Sequence, residues 1–189
     1  MNEKGFILER ALEVFADKGY YRTTIEEIAS RTELKKVTVY RCIKSKEDLF
    51  IELLTMAAAA RKKEVFDNIG ITDDLKEKLS RFILSFIRFA KTQKNYYKIL
   101  KMELGSENPE FLEKVLKIQA ELKNAIYQIL QDGCRQGVFR TVNPLIANAF
   151  LGKLTEGVLE VIEIEPNYSP DQIVLSMLDL IWNGLVKKG

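Results

Sequence analysis

Residues 35–46 read Lys-Lys-Val-Thr-Val-Tyr-Arg-Cys-Ile-Lys-Ser-Lys, "KKVTVYRCIKSK", and the rest of the chain is best read outward from them. They hold five basic residues and no acidic one, in a chain whose 29 basic and 27 acidic residues leave a net charge of only +2. Wound as a helix at about 100° per residue, Lys36, Val37, Tyr40, Arg41 and Lys44 share one arc. Val39, Cys42 and Ile43 lie roughly opposite and suit packing on neighbouring helices. A cationic arc carrying an aromatic and a small apolar group fits a polyanion. Lys and Arg donate to guanine acceptors, an apolar group meets a thymine methyl, and hydroxyls donate to phosphate oxygens. A carboxylate on that arc would be repelled by the phosphates.

The flanks give the arc a context. A first helix is expected over Glu3–Lys18, burying Ile7, Ala11, Val14 and Phe15 and stopping at Gly19. Thr23 with Glu26 reads as a capping box ahead of Ile25, Ile28 and Ala29, starting a second helix over about Thr24–Arg31. The break Thr32-Glu33-Leu34 leads into the basic helix. Ser45 with Asp48 forms a second box, opening a long fourth helix that runs to about Asn68. Helix, tight turn and exposed basic helix make a helix-turn-helix pattern, which a solvated Lys-rich face would not require.

Downstream, apolar periodicity predicts helices over Asp73–Thr92, Asn95–Leu104, Pro109–Gln136, Pro144–Glu163 and Pro170–Lys187. Asn108-Pro109, Asn143-Pro144 and Ser169-Pro170 each put a capping residue before Pro at a first helical position. The fold class expected is all-α with about nine helices. A boundary falls near residue 45: residues 1–45 form a helix-turn-helix DNA-binding domain, and residues 46–189 a larger helical domain.

Composition narrows the function. With 47% apolar residues, the 189-residue chain can bury a sizeable core, and a folded protein is expected. The near-neutral balance confines any nucleic-acid footprint to a local patch. Two cysteines, Cys42 and Cys134, make no disulfide framework. Apolar runs fall short of the roughly 18 residues of a membrane span, and the start lacks a signal-peptide layout, so a cytoplasmic protein is expected. There is no histidine, the commonest general base and metal ligand. "GKLTEG" (Gly152–Gly157) lacks the order of a phosphate loop, and Glu26-Glu27 and Asp73-Asp74 sit where they complement helix dipoles. No catalytic residue, cofactor or metal site is therefore expected, and the chain is not read as an enzyme. Two rivals remain: redox input through Cys42, whose neighbours Arg41 and Lys44 favour a thiolate, and a helical protein-interaction module without DNA binding.

The segment Ile7–Phe50, "ILERALEVFADKGYYRTTIEEIASRTELKKVTVYRCIKSKEDLF", resembles the N-terminal DNA-binding domain of TetR/AcrR-type transcriptional regulators. The matching elements are Phe15, Gly19 and Tyr20; Thr24, Ile28 and Ala29; Thr38 and Tyr40; and Ser45, Lys46, Glu47 and Leu49. Residues 137–157, "GVFRTVNPLIANAFLGKLTEG", resemble more loosely the entry to the family's eighth helix. The chain departs from the pattern at Glu33 and Val37, where Gly is usual, and at Cys42 and Ile43, where His and Phe are common. The resemblance implies base contacts from Lys36, Val37 and Arg41, and phosphate contacts from Thr24, Thr38, Tyr40 and Lys46. Lys35, at the helix start, serves either role.

The same resemblance implies a homodimeric repressor, released from a palindromic operator by a small, largely apolar or aromatic effector. The last two helices would form the dimer interface, through Leu151, Leu154, Val158 and Ile162 on one and Ile173, Met177, Leu180 and Ile181 on the other. The effector pocket it implies draws on Phe82, Phe86, Phe89, Tyr96, Tyr97, Leu100, Ile126 and Tyr127. Periodicity alone leaves the dimer residues equally readable as intrachain core, and an aromatic stripe at helical spacing is more often core than pocket.

Overall fold

A computed structural model of the chain describes residues 3–102, 109–164, 167 and 169–185; the side chains of 119, 121–123, 125, 162, 163, 170, 171, 173 and 185 are outside that description. The helices among these residues are α1 (Glu3–Lys18), α2 (Ile25–Thr32), α3 (Lys36–Cys42), α4 (Lys46–Ile69), α5 (Leu75–Thr92), α6 (Lys94–Leu100), α7 (Pro109–Arg135), α8 (Pro144–Ile164) and α9 (Pro170–Leu185). No strand occurs among the described residues. The all-α expectation holds. Two compact units form: Met1–Ala60 with Thr92–Ala120, and Arg61–Lys91 with Glu121–Gly189. Both α4 and α7 thus contribute to each unit.

In the first unit, α1, α2 and α3 pack on one another, and α6 packs on α1. The face of α1 that they cover carries Ile7, Leu8, Ala11, Val14, Phe15 and Ala16, spaced three and four apart. The chain leaves α1 at Gly19, whose φ of +80° needs a residue without Cβ strain. The cap of α2 lies one residue later than the Thr23–Glu26 box predicts. Thr24 Oγ1 accepts from the Glu27 N–H at 3.2 Å. Thr23 is fully buried, and its hydroxyl donates to the Gly19 carbonyl at 2.8 Å. Ser45 caps α4 as expected: its Oγ accepts from the Asp48 N–H at 3.0 Å and donates to Asp48 Oδ2 at 2.8 Å.

Between α2 and α3, Glu33 adopts φ +56°, ψ +7°, the left-handed region. This is the turn position where the resemblance has Gly, and the backbone shows why. Thr32 steadies the turn, its hydroxyl donating to the Ala29 carbonyl at 2.8 Å and accepting from the Leu34 N–H at 3.3 Å. In the second unit, Asp74 caps α5 by accepting from the Glu77 N–H at 2.7 Å, and Asn143 caps α8 through the N–H groups of Leu145 and Ile146. Gly133 lets the buried Phe139 ring lie flat against α7; a Cβ there would come within 2.0 Å of the ring. α6 stops at Leu100, short of the predicted Leu104, and residues 103–108 lie outside the described residues.

Glu33→Gly should therefore raise stability by about 1 kcal/mol, because a left-handed β-carbon-bearing residue costs about that much. A higher urea midpoint at unchanged slope is the expected reading; an unchanged or lower midpoint contradicts strain at this turn.

Candidate nucleic-acid interface

The arc of α3 stands clear of the protein. Val37 is 79% exposed and Tyr40 50%, and Lys36, Arg41 and Lys44 are exposed beside them. Val39 and Ile43 are buried on the opposite side, and Cys42 is half-buried. Seven residues make too short a helix to persist alone, so the buried pair and the contacts with α1 and α2 hold it. Lys35 occupies the N-cap position with no side-chain cap bond and is exposed. Thr38 is half-buried, and Thr24 is exposed at the start of α2. An exposed Val37 is a feature water disfavours and a thymine methyl would reward.

Two side chains of the arc carry carboxylate partners far away in sequence. The Tyr40 hydroxyl donates to Glu26 Oε1 at 2.8 Å, and Arg41 Nη2 donates to Glu3 Oε2 at 2.9 Å. The bond from Tyr40 holds the Glu26 carboxyl below its usual range, with the charge of Lys36 adding to it. The same bond raises the Tyr40 hydroxyl above the usual phenol value. At neutral pH the pair is therefore a phenol donating to a carboxylate. Sequence reading missed both carboxylates, because 14 and 38 positions separate them from their partners and no local spacing signals them.

Lys46, expected among the phosphate contacts, is engaged within the protein. Its ammonium donates to the backbone carbonyls of Tyr20 at 3.2 Å and Thr23 at 3.1 Å, and lies 4.4 Å from the centre of the Tyr20 ring. It is half-buried and pins the start of α4 to the turn between α1 and α2. That turn is itself seated on aromatic rings: Tyr20 stacks on Phe111 with centroids 5.1 Å apart and meets Phe50 at 5.0 Å and Phe15 at 6.0 Å. Burial, with the Glu47 charge beside it, pushes the Tyr20 hydroxyl up to about 12, so the ring stays neutral beneath Lys46.

The remaining expected residues divide between the units. Phe82, Phe86, Phe89 and Ile126 are buried in the second unit, where Tyr127 is half-buried and the Arg61 guanidinium lies 4.5 Å from the centre of the Phe86 ring. Tyr96, Tyr97 and Leu100 belong to the first unit, the tyrosines half-buried and the leucine buried.

Of the residues expected at the dimer interface, Leu151, Val158, Met177 and Ile181 are buried within the single chain, where α8 packs on α9. Leu154 is half-buried, only Leu180 is well exposed at 67%, and the side chains of Ile162 and Ile173 fall outside the described residues. The apolar groups that α8 leaves exposed lie at a different phase. Ile146, Phe150, Val161 and Ile164 form a stripe with Lys153 and Gly157 between them.

A short, exposed, cationic helix fixed behind a tight turn by two other helices defines a helix-turn-helix DNA-binding protein. Comparison with known proteins carries this further. A family model described as "Bacterial regulatory proteins, tetR family" matches residues 7–53, and one described as "Tetracyclin repressor-like, C-terminal domain" matches residues 72–185. The chain belongs to the tetR family of bacterial regulatory proteins, and it is a DNA-binding transcriptional regulator.

Among relatives, the fatty acid metabolism regulator protein of Bacillus subtilis is 24% identical over 184 residues, spanning 96% of this chain and 95% of that one. The crystal structure of AibR in complex with isovaleryl coenzyme A and operator DNA aligns at TM-score 0.82 and 18% identity, over 95% of this chain and 97% of that one. FadR from Bacillus subtilis in complex with stearoyl-CoA aligns at TM-score 0.76 and 22% identity, over 94% and 96%. Both structures share the fold described above. No helix among the described residues is long and apolar enough to cross a membrane.

Replacing Lys46 by Ala should cost about 1 kcal/mol of stability, since it leaves two carbonyls and a ring face without their cation. Lys36→Ala should change stability by less than about 0.5 kcal/mol. Equal melting temperatures for the two variants contradict this structural role of Lys46.

Proposed function

We propose that this regulator is a homodimeric repressor that leaves a palindromic operator when an acyl-coenzyme A binds it. Residues 1–45 supply the reading head, and 46–189 the effector binding and dimerisation. The observation that carries the DNA half of the proposal is the exposed arc of α3. Lys36, Val37 and Arg41 read base edges; Thr24, Thr38 and Tyr40 fix phosphates; Lys35 serves at the helix start. The protein works by binding rather than catalysis, in the cytoplasm, with no cofactor.

The effector assignment is supported by the relatives. One is named for fatty acid metabolism, and two solved structures of the same fold hold acyl-coenzyme A molecules. The chain's own residues suit an acyl chain: Phe82, Phe86 and Phe89 make an apolar aromatic stripe along α5, near enough in phase to line one groove. The hydroxyl of Tyr127, in the same unit, would orient the ligand. Release needs only that the effector bind more tightly to a conformation whose two recognition helices mismatch successive major grooves, and the coupling is then reciprocal. A second copy would cover the α8 stripe of Ile146, Phe150, Val161 and Ile164, which a lone chain leaves in water.

Stearoyl- and isovaleryl-coenzyme A, with free coenzyme A as control, should be titrated into the complex of the protein with its selected operator. Loss of fluorescence anisotropy from labelled DNA with an acylated form alone is the expected result. A complex unmoved by either chain length contradicts the effector while leaving DNA reading intact. Phe150→Asp should yield monomers in sedimentation and lose operator affinity more than about tenfold, since one half-site remains. A dimer of unchanged affinity contradicts the α8 interface.

A further inference from the structure

The reading head carries its own acidic competitors. Glu3, in the first turn of α1, holds Arg41; Glu26, in the first turn of α2, holds Tyr40. Each carboxylate occupies a donor of the arc that DNA would otherwise engage. Helix-dipole complementarity explains an acidic residue at a helix start, but it does not explain why each one closes on a group of the α3 arc. Both pairs are exposed: the Glu3 and Arg41 side chains are 54% and 69% accessible. Water competes there, so each contact is weak enough to break when a phosphate or guanine arrives.

We infer that Glu3 and Glu26 are intramolecular competitors for the operator, lowering affinity by holding Arg41 and Tyr40 in the DNA-free protein. The inference rests on the proposal that the α3 arc reads DNA. Operator binding must break the Glu3–Arg41 pair to free the guanidinium for a base edge. The cost enters the specific complex in full. A non-specific complex can leave the pair closed and is penalised no more than that. The carboxylates therefore weaken the protein's hold on its operator, within reach of an effector of modest coupling strength. Simple repulsion between Glu3 and the phosphates would act whether or not Arg41 is present, and this separates the two accounts.

The experiment is a double-mutant cycle on operator affinity, with Glu3→Gln, Arg41→Ala and the double variant in the full-length protein. Glu3→Gln should tighten operator binding about two- to five-fold more in the wild-type background than in the Arg41→Ala background, the range of an exposed ion pair. The difference should shrink as salt is raised. Glu26→Ala with Tyr40→Phe forms a parallel cycle that should show coupling of the same sign, without the salt dependence because the phenol is neutral. Low salt keeps the Arg41→Ala complex measurable, and melting curves confirm that each variant is folded. Equal tightening in both backgrounds overturns the inference, leaving only charge repulsion. A wild-type protein that selects no operator overturns the reading of the arc and this inference with it.

Discussion

The contact on which the reading head depends is the one between Lys46 and Tyr20. The ammonium of the first α4 residue binds two carbonyls of the α1–α2 turn and the ring face of Tyr20, which in turn rests on Phe15, Phe50 and Phe111. Thr23 is locked to Gly19 in the same turn, and Thr24 caps α2 from it. The recognition helix is seven residues long and cannot hold its own shape. Its orientation is inherited from α1 and α2, and theirs from this cluster. Since Phe111 lies near the start of α7 and Phe50 on α4, the cluster also draws the first parts of these two helices into one compact body with the head.

Electrostatics divides labour across that body. Cations are concentrated on the α3 arc and acids at the starts of α1, α2 and α4, where helix dipoles favour them. The chain can thus stay near neutrality overall while presenting a local cationic surface. The turn between α2 and α3 tolerates an unfavourable backbone at Glu33, since Thr32 closes it from both sides.

Much of the architecture was legible in the sequence because it is written in local signals. Helical periodicity, Gly19 as a stop, Ser45 with Asp48 and Asn143-Pro144 as starts all act within four residues, and the structure follows them. The arc of α3 was legible for the same reason: one short helix has one exposed side. What local spacing does not carry has physical causes. Thr23 and Thr24 both satisfy a capping pattern, and which one caps depends on Thr23 being drawn inward by Gly19. Lys46 looks like any surface lysine until the carbonyls it covers are brought to it by the fold. On α8, apolar residues occupy several phases, so Leu151 and Phe150 are equally plausible as interface until packing on α9 buries Leu151 and leaves Phe150 outside. Glu3 and Glu26 meet Arg41 and Tyr40 only through tertiary structure, and no spacing rule reaches that far.

The central claim is that the exposed arc of α3 reads a DNA sequence. It is tested most directly by selecting bound duplexes from a random pool with the purified protein at near-physiological salt. The account predicts an enriched two-fold palindrome whose half-sites lie about one helical turn apart, or a multiple of it. Binding that is weak, steeply salt-dependent and without enrichment would contradict it, reducing the arc to a non-specific cationic face.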